Sequence, residues 1–357
     1  MDISFLLLVF LFGFAISWFG IPVVVKIIKR YKIYQKPKKR DLHRRRVPKL
    51  TGIVFYIALF FISIAFIPYT DSKRLLLMLC STSLIVYLGI RDDVFEMGPY
   101  FKLLIQIFAI SFFVFGDQLL INQLHGFLGL DNLPFYIAYP FTYFVGVFMI
   151  NAFNLCDGID GLAGLLGIVM LSCYGLIFYL FGDVLFFSYS LTLIGCLIAF
   201  LRYNFSENIK VFMGDTGSLL LGFIFFVFTL HIVTIDNALV ESFFFSKELI
   251  FVASLCIFLI PILDTGSIFF YRIINGVSPF KPDNNHLHHL VLKVTKSHVF
   301  SSIIIAGFLA LIVGVFYGFS LFFDPKQIVI LYFVLLVFLY LVIYFLRNKN
   351  KSIHKQN

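Results

Sequence analysis

About eleven apolar runs of about 17–23 residues fill most of this 357-residue chain, and each is long enough to cross roughly 30 Å of hydrocarbon as a helix. Unpaired backbone groups are too costly in lipid, so such runs are expected to be helices rather than open strands. The composition agrees, because 61% of the residues are hydrophobic and 13% are charged, whereas soluble domains are about 45–50% apolar and about 25% charged. The predicted fold class is an all-α, polytopic membrane helix bundle.

The first apolar run lacks a basic n-region and is too long for a cleaved signal peptide, so we expect it to be retained as a span. The run at 135–151 contains Pro140, and the runs at 161–181 and 185–202 form a tight hairpin. The five cysteines show no CxxC spacing, which argues against a disulfide framework or a zinc ribbon. The predicted spans are 3–25, 50–68, 74–90, 100–116, 135–151, 161–181, 185–202, 217–235, 248–270, 299–320 and 327–346.

The basic residues predict the orientation of the bundle. Twelve of the 28 Lys and Arg residues fall within 26–49, and an excess of this kind marks a cytoplasmic loop. The alternation of spans then leaves only four basic residues on the outer face: Lys73, Arg74, Lys247 and Lys326. The amino terminus is therefore expected outside and the carboxyl terminus inside. The net charge of +9 is explained by basic loops beside anionic lipid, so nucleic acid is not an expected partner.

The remaining polar residues cluster in five segments, all at cytoplasmic ends of the predicted spans or in cytoplasmic loops. The outer loops 117–134 and 236–247 carry only scattered acids. The five segments are Arg91-Asp92-Asp93, Asn151–Gly161 (NAFNLCDGIDG), Val211–Gly222 (VFMGDTGSLLLG), Asp264, and the segment with His286, His288 and His289. This convergence predicts one polar site on the cytoplasmic face.

Six carboxylates belong to these segments. Carboxylates at a membrane boundary are expensive unless they meet water, a cation or a partner. An oxygen-rich and water-accessible site of this kind suits Mg²⁺, which keeps several waters and bridges to substrate phosphates. The six are Asp92, Asp93, Asp157, Asp160, Asp215 and Asp264.

Several of the same segments are suited to binding a phosphate. The sequence Gly214-Asp215-Thr216-Gly217-Ser218 precedes an apolar run, where glycine permits close approach and a helix amino terminus offers N–H groups to an anion. The segment 157–161 offers the same chemistry, and Lys102 can supply a point charge. The histidines can bind a transition metal or a diphosphate. The HExxH motif of zinc proteases is absent, and we favour phosphate contact.

Each residue also has a purely structural interpretation. Asp92, Asp93, Asp157 and Asp160 can cap helices, Lys102 can extend to the membrane interface, and Asp264 can make a structural hydrogen bond. Two other classes of protein would show different patterns of polar residues. A cation-coupled transporter requires polar groups at mid-membrane depth and on both faces, and an intramembrane metalloprotease requires a His/Glu helix motif. Neither pattern is found.

The motifs resemble those of the polyprenyl-phosphate N-acetylhexosamine-1-phosphate transferases, and most closely the bacterial undecaprenyl-phosphate GlcNAc-1-phosphate transferases. The resemblance runs from the basic segment around His43 to His289 and rests on four motifs in order. These are Asp92-Asp93, Asn151 to Gly161, Val211 to Ser218, and His286-Leu-His288-His289. It implies transfer of a hexosamine 1-phosphate from a UDP-N-acetylhexosamine to undecaprenyl phosphate, with UMP as the second product and Mg²⁺ (or Mn²⁺) as cofactor.

The resemblance also implies roles for individual residues. Asn154 and Asp215 match metal-contacting positions. Asp157 and Asp160 match positions near the nucleotide, and with Asn151 and Gly214 they form the expected substrate-binding set. The expected catalytic set is Asp92, Asp93, Lys102, His286, His288 and His289. Relatives suggest a homodimer embedded in membrane lipid, in a bacterial cytoplasmic membrane with the active site facing the cytoplasm.

Two questions stay open at the level of sequence. The reaction can be a direct in-line attack by the lipid phosphate or can pass through a phospho-enzyme on an aspartate. The donor can be another UDP-N-acetylhexosamine, including the MurNAc-pentapeptide donor of a related translocase.

The segment 204–210 lacks the proline expected before VFMGD, so Asn204 is given no role. We expect one catalytic domain over 1–346 and a basic cytoplasmic tail over 347–357.

Overall fold

The computed structural model describes residues 3–33, 47–66, 72–95, 97–234, 247–276, 278 and 286–356, and these residues form a bundle of helices. The predicted all-α fold class is confirmed. The basic segment 34–46 and the span ends 67–68 and 235 lie outside the described residues. In chain order the α-helices are α1 (Ile3–Tyr31), α2 (Gly52–Phe66), α3 (Ser72–Val94), α4 (Pro99–Ser111), α5 (Phe135–Leu155), α6 (Leu162–Phe181), α7 (Val184–Asn204), α8 (Gly214–Val233), α9 (Lys247–Ile257), α10 (Leu259–Ile274), α11 (Leu287–Thr295), α12 (His298–Ser320) and α13 (Pro325–Gln356).

Within the described residues, nine helices are long and apolar enough to cross a membrane. The bent pair α9–α10 makes a tenth if it is counted as one span, and α2 is a shorter apolar helix. Every predicted apolar run therefore coincides with a helix or with this bent pair. The chain is a multi-pass membrane protein.

The run at 248–270 was expected to be one span, and the structure shows it as two helices with a sharp bend between them. The helix bends by 75° between Leu249–Ile257 and Leu259–Ile274, and Phe258 at the break has φ −94° and ψ 12°. Pro261 explains the break, because it has no N–H to donate to the carbonyl of Ile257 and its ring clashes with that carbonyl. The bend separates α10, which carries Asp264, from the straight part of the span.

Two further expectations need correction. The histidine segment is not a loop, because His286 is the N-cap of α11 and both His288 and His289 lie in its first turn. The expected boundary at 346/347 falls inside α13. Arg347 is 3% exposed and donates from Nη2 to Ser267 Oγ at 2.9 Å. It therefore belongs to the packed bundle rather than to a tail.

Helix α8 is the centre of the bundle. All of its membrane-length window is buried inside the protein, as expected for a helix that is apolar on every side. Glycines permit its close packing: a methyl group at Gly222 would meet the backbone of Ile150 in α5, and one at Gly89 in α3 would meet the backbone of Thr216. Small residues allow helix backbones to approach in this way within membranes.

We predict that Gly13→Ala in α1 destabilises the fold. A methyl group there would overlap the backbone carbonyl of Thr192 in α7, and overpacking of this kind costs about 1–3 kcal/mol. The measurement is the temperature at which the detergent-purified protein loses its monodisperse gel-filtration peak. The control is Gly314→Ala in α12, where no atom lies within 4 Å of the added carbon. Equal midpoints for the two variants would contradict the packing argument.

Candidate active site at the start of helix α8

Four carboxylates and a lysine meet at the first turn of α8, and they come from α3, α4, α8 itself and the turn after α5. Gly214 begins the helix with φ +74°, a conformation that glycine adopts without the penalty of a side chain. A methyl group at Gly214 would also lie 2.6 Å from Asp93 Oδ2. Glycine is therefore required at this position for two separate reasons.

Asp93, at the end of α3, caps the amino terminus of α8. Its Oδ1 accepts a hydrogen bond from Asp215 N at 2.9 Å. Its Oδ2 accepts from Thr216 N at 2.9 Å and from Thr216 Oγ1 at 2.6 Å. A negative charge here is also favoured by the helix dipole. The carboxylate of Asp157 lies near the Gly214 N–H, at the same end of α8.

These bonds bear on one expectation from the sequence. The N–H groups of α8 were expected to be free for a substrate anion, with Gly214 as a substrate-binding residue. Two of them, those of Asp215 and Thr216, bond to the carboxylate of Asp93 instead. The segment 157–161 is occupied in the same way, because Asp160 N donates to His298 Nδ1 and Gly161 N donates to Asn204 Oδ1.

Lys102 lies between two of the acids. Its Nζ forms an ion pair with Asp92 and lies 3.7 Å from Asp215 Oδ2. Asp92 also accepts a hydrogen bond from Met97 N at 2.9 Å, which holds the carboxylate at the turn between α3 and α4. Asp215 is completed by Asn154, whose Nδ2 donates to Asp215 Oδ1 at 3.0 Å and to Ser218 Oγ at 2.8 Å.

Asn151 has a different position from the one expected of a substrate-binding residue. It pairs with Gln106 of α4: Asn151 Nδ2 donates to Gln106 Oε1 at 2.8 Å, and Gln106 Nε2 donates back to Asn151 Oδ1 at 3.3 Å. Gln106 is one helical turn after Lys102. The pair therefore fixes α4 against α5 and, through α4, fixes the position of Lys102.

The turn between α5 and α6 adds Asp157 and Asp160. Burial and the charges of Asp215 and Asp93 raise the pKa of Asp157 well above its ordinary value, against the opposing effects of Lys49 and the Gly214 N–H. Asp160 instead forms an ion pair with Lys210 at 2.6 Å, and His298 Nδ1 lies 3.5 Å from the same carboxylate oxygen. The two acids of one motif thus have opposite electrostatic surroundings.

Asn204, to which we gave no role, connects two of the motifs. It is 3% exposed. Its Oδ1 accepts from Gly161 N at 2.6 Å, and its Nδ2 donates to Val211 O at 2.7 Å. The missing proline was therefore a poor guide, because the backbone groups that Asn204 bridges do not depend on it.

The three histidines lie around Asp264, one of the six predicted carboxylates, which was not in the expected catalytic, substrate-binding or metal-contacting set. Asp264 Oδ1 accepts from Leu287 N at 2.5 Å, and His288 Nδ1 hydrogen-bonds Asp264 Oδ2 at 3.2 Å. His286 Nδ1 lies 3.3 Å from the same oxygen. The sequence signal for Asp264 was an acid inside an apolar run. Lys210 and His298 gave no signal that separated them from other basic residues.

His289 is the third member of this group. Burial, together with the nearby His288 and His286, lowers the pKa of His289 to about 4. The ring is therefore neutral at pH 7. It can offer a substrate one hydrogen bond but no positive charge, which limits the charge neutralisation expected of this segment.

Two sets of side chains have the chemistry of a metal site. Asp215 and Asn154 are oxygen donors that suit Mg²⁺, and both hydrogen bonds of Asn154 use its amide nitrogen, which leaves its carbonyl oxygen as a ligand. Among the described residues, Asp92, Asp93, Asp157 and Asp215 lie within the influence of Lys102 and Lys49, and an oxygen-rich set of this kind suits a divalent cation. The second set, Asp264, His286 and His288, has its ligand atoms within 4.8 Å of one another and is nitrogen-rich.

Membrane-length helices around one cluster of acids, a lysine and histidines define a multi-pass membrane protein with a polar site at one end of its bundle. The sequence profile of glycosyl transferase family 4 matches residues 75–233. The undecaprenyl-phosphate alpha-N-acetylglucosaminyl 1-phosphate transferase of Escherichia coli K12 is 30% identical over 325 residues, covering 88% of this chain and 84% of that protein. Proteins of the same name from Yersinia pestis and Salmonella typhi are 30% and 31% identical over 94% and 95% of this chain, and 89% of each relative is covered.

The chain belongs to glycosyl transferase family 4, and it is a membrane transferase.

We predict that Gly214→Ala abolishes transferase activity while Gly182→Ala does not. Both glycines have positive φ, +74° and +71°, so both variants bear a backbone penalty of about 1–2 kcal/mol. Only Gly214 faces the Asp93 carboxylate, whereas nothing lies within 4 Å of a methyl group at Gly182. Activity in membranes, normalised to the amount of folded protein, is the measurement. Equal losses in both variants would assign the effect to backbone strain alone.

Proposed function

We propose that this protein transfers N-acetylhexosamine 1-phosphate, with GlcNAc as the sugar, from a UDP-sugar to undecaprenyl phosphate. The products are undecaprenyl-diphospho-sugar and UMP. The observation that carries the proposal is the meeting of Lys102, Asp92, Asp215 and Asn154 at the start of a fully enclosed helix. The substrates are proposed from the relatives, which are undecaprenyl-phosphate alpha-N-acetylglucosaminyl 1-phosphate transferases.

The chemistry requires two anions to approach each other. A phosphate monoester has a second pKa near about 6, so most of the acceptor is already dianionic at pH 7 and needs little help from a base. An acceptor oxygen forms a bond to the β-phosphorus of the donor, and the bond from that phosphorus to the bridging oxygen of UMP breaks. Charge repulsion is the larger barrier, and fixed positive groups lower it most when they are in place beforehand.

Lys102 is the positive group that we assign to this task. Asp92 holds it in place through the ion pair and through the Met97 N–H that fixes the carboxylate. The Gln106–Asn151 pair one turn later keeps α4 in register. In this proposal Asp92 and Asn151 position Lys102, and Lys102 contacts a phosphate.

Asp93 is assigned a positioning role rather than that of a base or nucleophile. Both of its oxygens accept hydrogen bonds from Asp215 and Thr216, and a proton or phosphoryl group on Asp93 would displace them. Asp92 and Asp215 are the remaining candidates for a phospho-enzyme. We favour direct in-line attack, because the acceptor is already ionised.

Asp215 and Asn154 are the residues that would hold Mg²⁺, with Mn²⁺ as a substitute. The bound ion would neutralise charge on the donor diphosphate. Asp157 and Asp160, on the turn beside α8, are assigned to the nucleotide end of the donor. His286 and His289 are assigned to the diphosphate and sugar.

We further propose that this end of the bundle faces the cytoplasm of a bacterial inner membrane. The end of the basic segment 26–49 lies beside the start of α8, because Phe212 N donates to Pro48 O at 2.9 Å. Thr51 Oγ1 donates to Phe212 O at 2.8 Å. Basic segments mark the cytoplasmic side, so the site and the positive charge share one face.

The first test is product analysis. Detergent-purified protein with undecaprenyl phosphate, Mg²⁺ and UDP-GlcNAc labelled in the sugar and in the uridine is expected to give labelled lipid and UMP in equal amounts. Release of UDP would mean that the sugar moves without its phosphate and would overturn the proposal. Turnover of only the MurNAc-pentapeptide donor would assign the related translocase reaction to this protein. No turnover of any UDP-hexosamine would contradict the proposal and favour the transporter hypothesis.

The second test uses variants of the site. We predict that Asp215→Asn lowers kcat by roughly 100- to 1000-fold, as expected when an electrostatic group is lost from an active site. The matched control is Asp183→Asn. Asp183 also forms a buried carboxylate pair, with His231 at 2.9 Å, but at the opposite end of α8. Retention of wild-type kcat by Asp215→Asn would remove this residue from the site.

The third test addresses the intermediate. We predict no stable phosphoryl label on the protein when it is incubated with β-³²P-labelled UDP-GlcNAc and Mg²⁺ in the absence of lipid acceptor. Acid-quenched protein is analysed by electrophoresis and by mass spectrometry of its peptides. A label on Asp92 or Asp215 that chases into lipid on addition of undecaprenyl phosphate would establish the two-step route.

A further inference from the structure

We infer that Asp264 and His288 form a buried brace that positions the active site, and that His288 does not itself contact the substrate. The inference rests on the proposed function only for its kinetic consequence, since the brace is defined by contacts within the protein. It changes the role expected for His288 from substrate contact to positioning. It also names the partners of the structural hydrogen bond that was one interpretation of Asp264.

The first contact joins α10 to α11 through Asp264. The side chains of Asp264 and His288 are each 3% exposed. One carboxylate oxygen of Asp264 accepts the N–H of Leu287, the first residue of α11, and the other pairs with His288 Nδ1. Asp264 is thus both the cap of α11 and the partner of a ring in its first turn, so it sets the angle and register of that helix.

The second contact joins His288 to the turn between α5 and α6. A methyl group on Gly158 would overlap His288 Nε2, and its distance to His288 Cε1 would be only 2.9 Å. The ring therefore spans from Asp264 at Nδ1 to the Gly158 backbone at Nε2. The side chain is only 3% exposed, which leaves little of the imidazole open to a diphosphate.

The third contact carries the brace to α8. Gly158 follows Asp157, whose carboxylate lies close to Gly214, Asp215 and Asp93 at the start of α8. A displacement of His288 would move the turn that holds Asp157 and hence the first turn of α8. Asp264 and Asp215 lie on different helices, but a short series of contacts connects them.

The neighbouring histidines have a different environment. His286 stacks on His288 with ring centroids 5.4 Å apart, and His286 Nδ1 makes no hydrogen bond to the described residues. His289 contacts the His288 ring at 4.3 Å and is only partly buried. The brace therefore holds His286 and His289 in place, and both of these side chains remain partly exposed.

Support for Asp264 comes from the carboxyl-terminal helix. Ser267 Oγ donates to the backbone carbonyl of Asp264 at 3.2 Å, and Arg347 Nη2 donates to that hydroxyl at 2.9 Å. Arg347 also lies over the Tyr271 ring, 5.5 Å from its centroid. The part of α10 that bears the brace is thereby held against α13.

The brace predicts the position of a proton. A carboxylate accepts only, so His288 must carry its proton at Nδ1. In Asp264→Asn the amide oxygen can still accept from Leu287 N, but the amide N–H₂ then faces His288 Nδ1. The ring can pair with it only if Nδ1 gives up its proton and Nε2 takes one. The variant is therefore expected to reverse the tautomer of His288.

The experiment is ¹⁵N NMR of the full-length protein in detergent, labelled at histidine, with the His288 signal identified by its loss in His288→Gln. Wild type is expected to show protonated Nδ1, and Asp264→Asn unprotonated Nδ1. Asp183→Asn is the control and should alter the signal of His231 only. Unprotonated Nδ1 in wild type, or an unchanged His288 signal in Asp264→Asn, would overturn the brace. The wild-type spectrum decides the matter even if the variant does not fold.

Kinetics supply the second arm. Asp264→Asn and His288→Gln are each expected to lower kcat/KM for UDP-GlcNAc by about 10- to 100-fold, the range typical of residues that orient other site groups. Because they act through one brace, the double variant should lose no more than the worse single variant. Multiplication of the two losses would overturn the inference. A wild-type protein without turnover would refute the proposed function alone, since the NMR result does not depend on activity.

Discussion

The capping of α8 by a carboxylate from another helix is the interaction on which the site depends. Asp93 brings the end of α3 to the start of α8, and Asp157, in the turn after α5, lies near the same place. Asp93 satisfies backbone N–H groups that have no partner within the helix. The same bonds set the spacing of the groups around Asp215, so local helix chemistry and the geometry of the site have one origin.

Much of this could be predicted from the sequence, because lipid permits few structures. Each apolar run became helical, and the motifs around Asp92, Asn154, Asp215 and His288 lie together at one end of the bundle. Periodicity and charge report which face of the membrane a residue occupies. They do not report which neighbour it meets, and for that reason Asn151 was assigned to substrate although it pairs with Gln106.

The errors share a physical cause. The N–H groups of α8 were expected to bind a substrate, because a helix amino terminus attracts anions; the anions it attracts here are side chains of the protein. The bend at Phe258 requires the steric effect of Pro261 in its context, since Pro140 lies inside the intact helix α5. Asp264 and Asn204 were undervalued because a buried polar residue gains its role from partners distant in the chain.

Helix α4 places polar side chains on one face and exposed apolar side chains on the other within two turns. Lys102 and Gln106 face the acids and amides of the interior, while Leu104 and Phe108 are exposed on the apolar exterior of the bundle. A molecule with a charged head and a long hydrocarbon tail can therefore reach the lysine sideways from the bilayer. The hydrocarbon tail of such a molecule can stay in the lipid while its charged head meets the lysine.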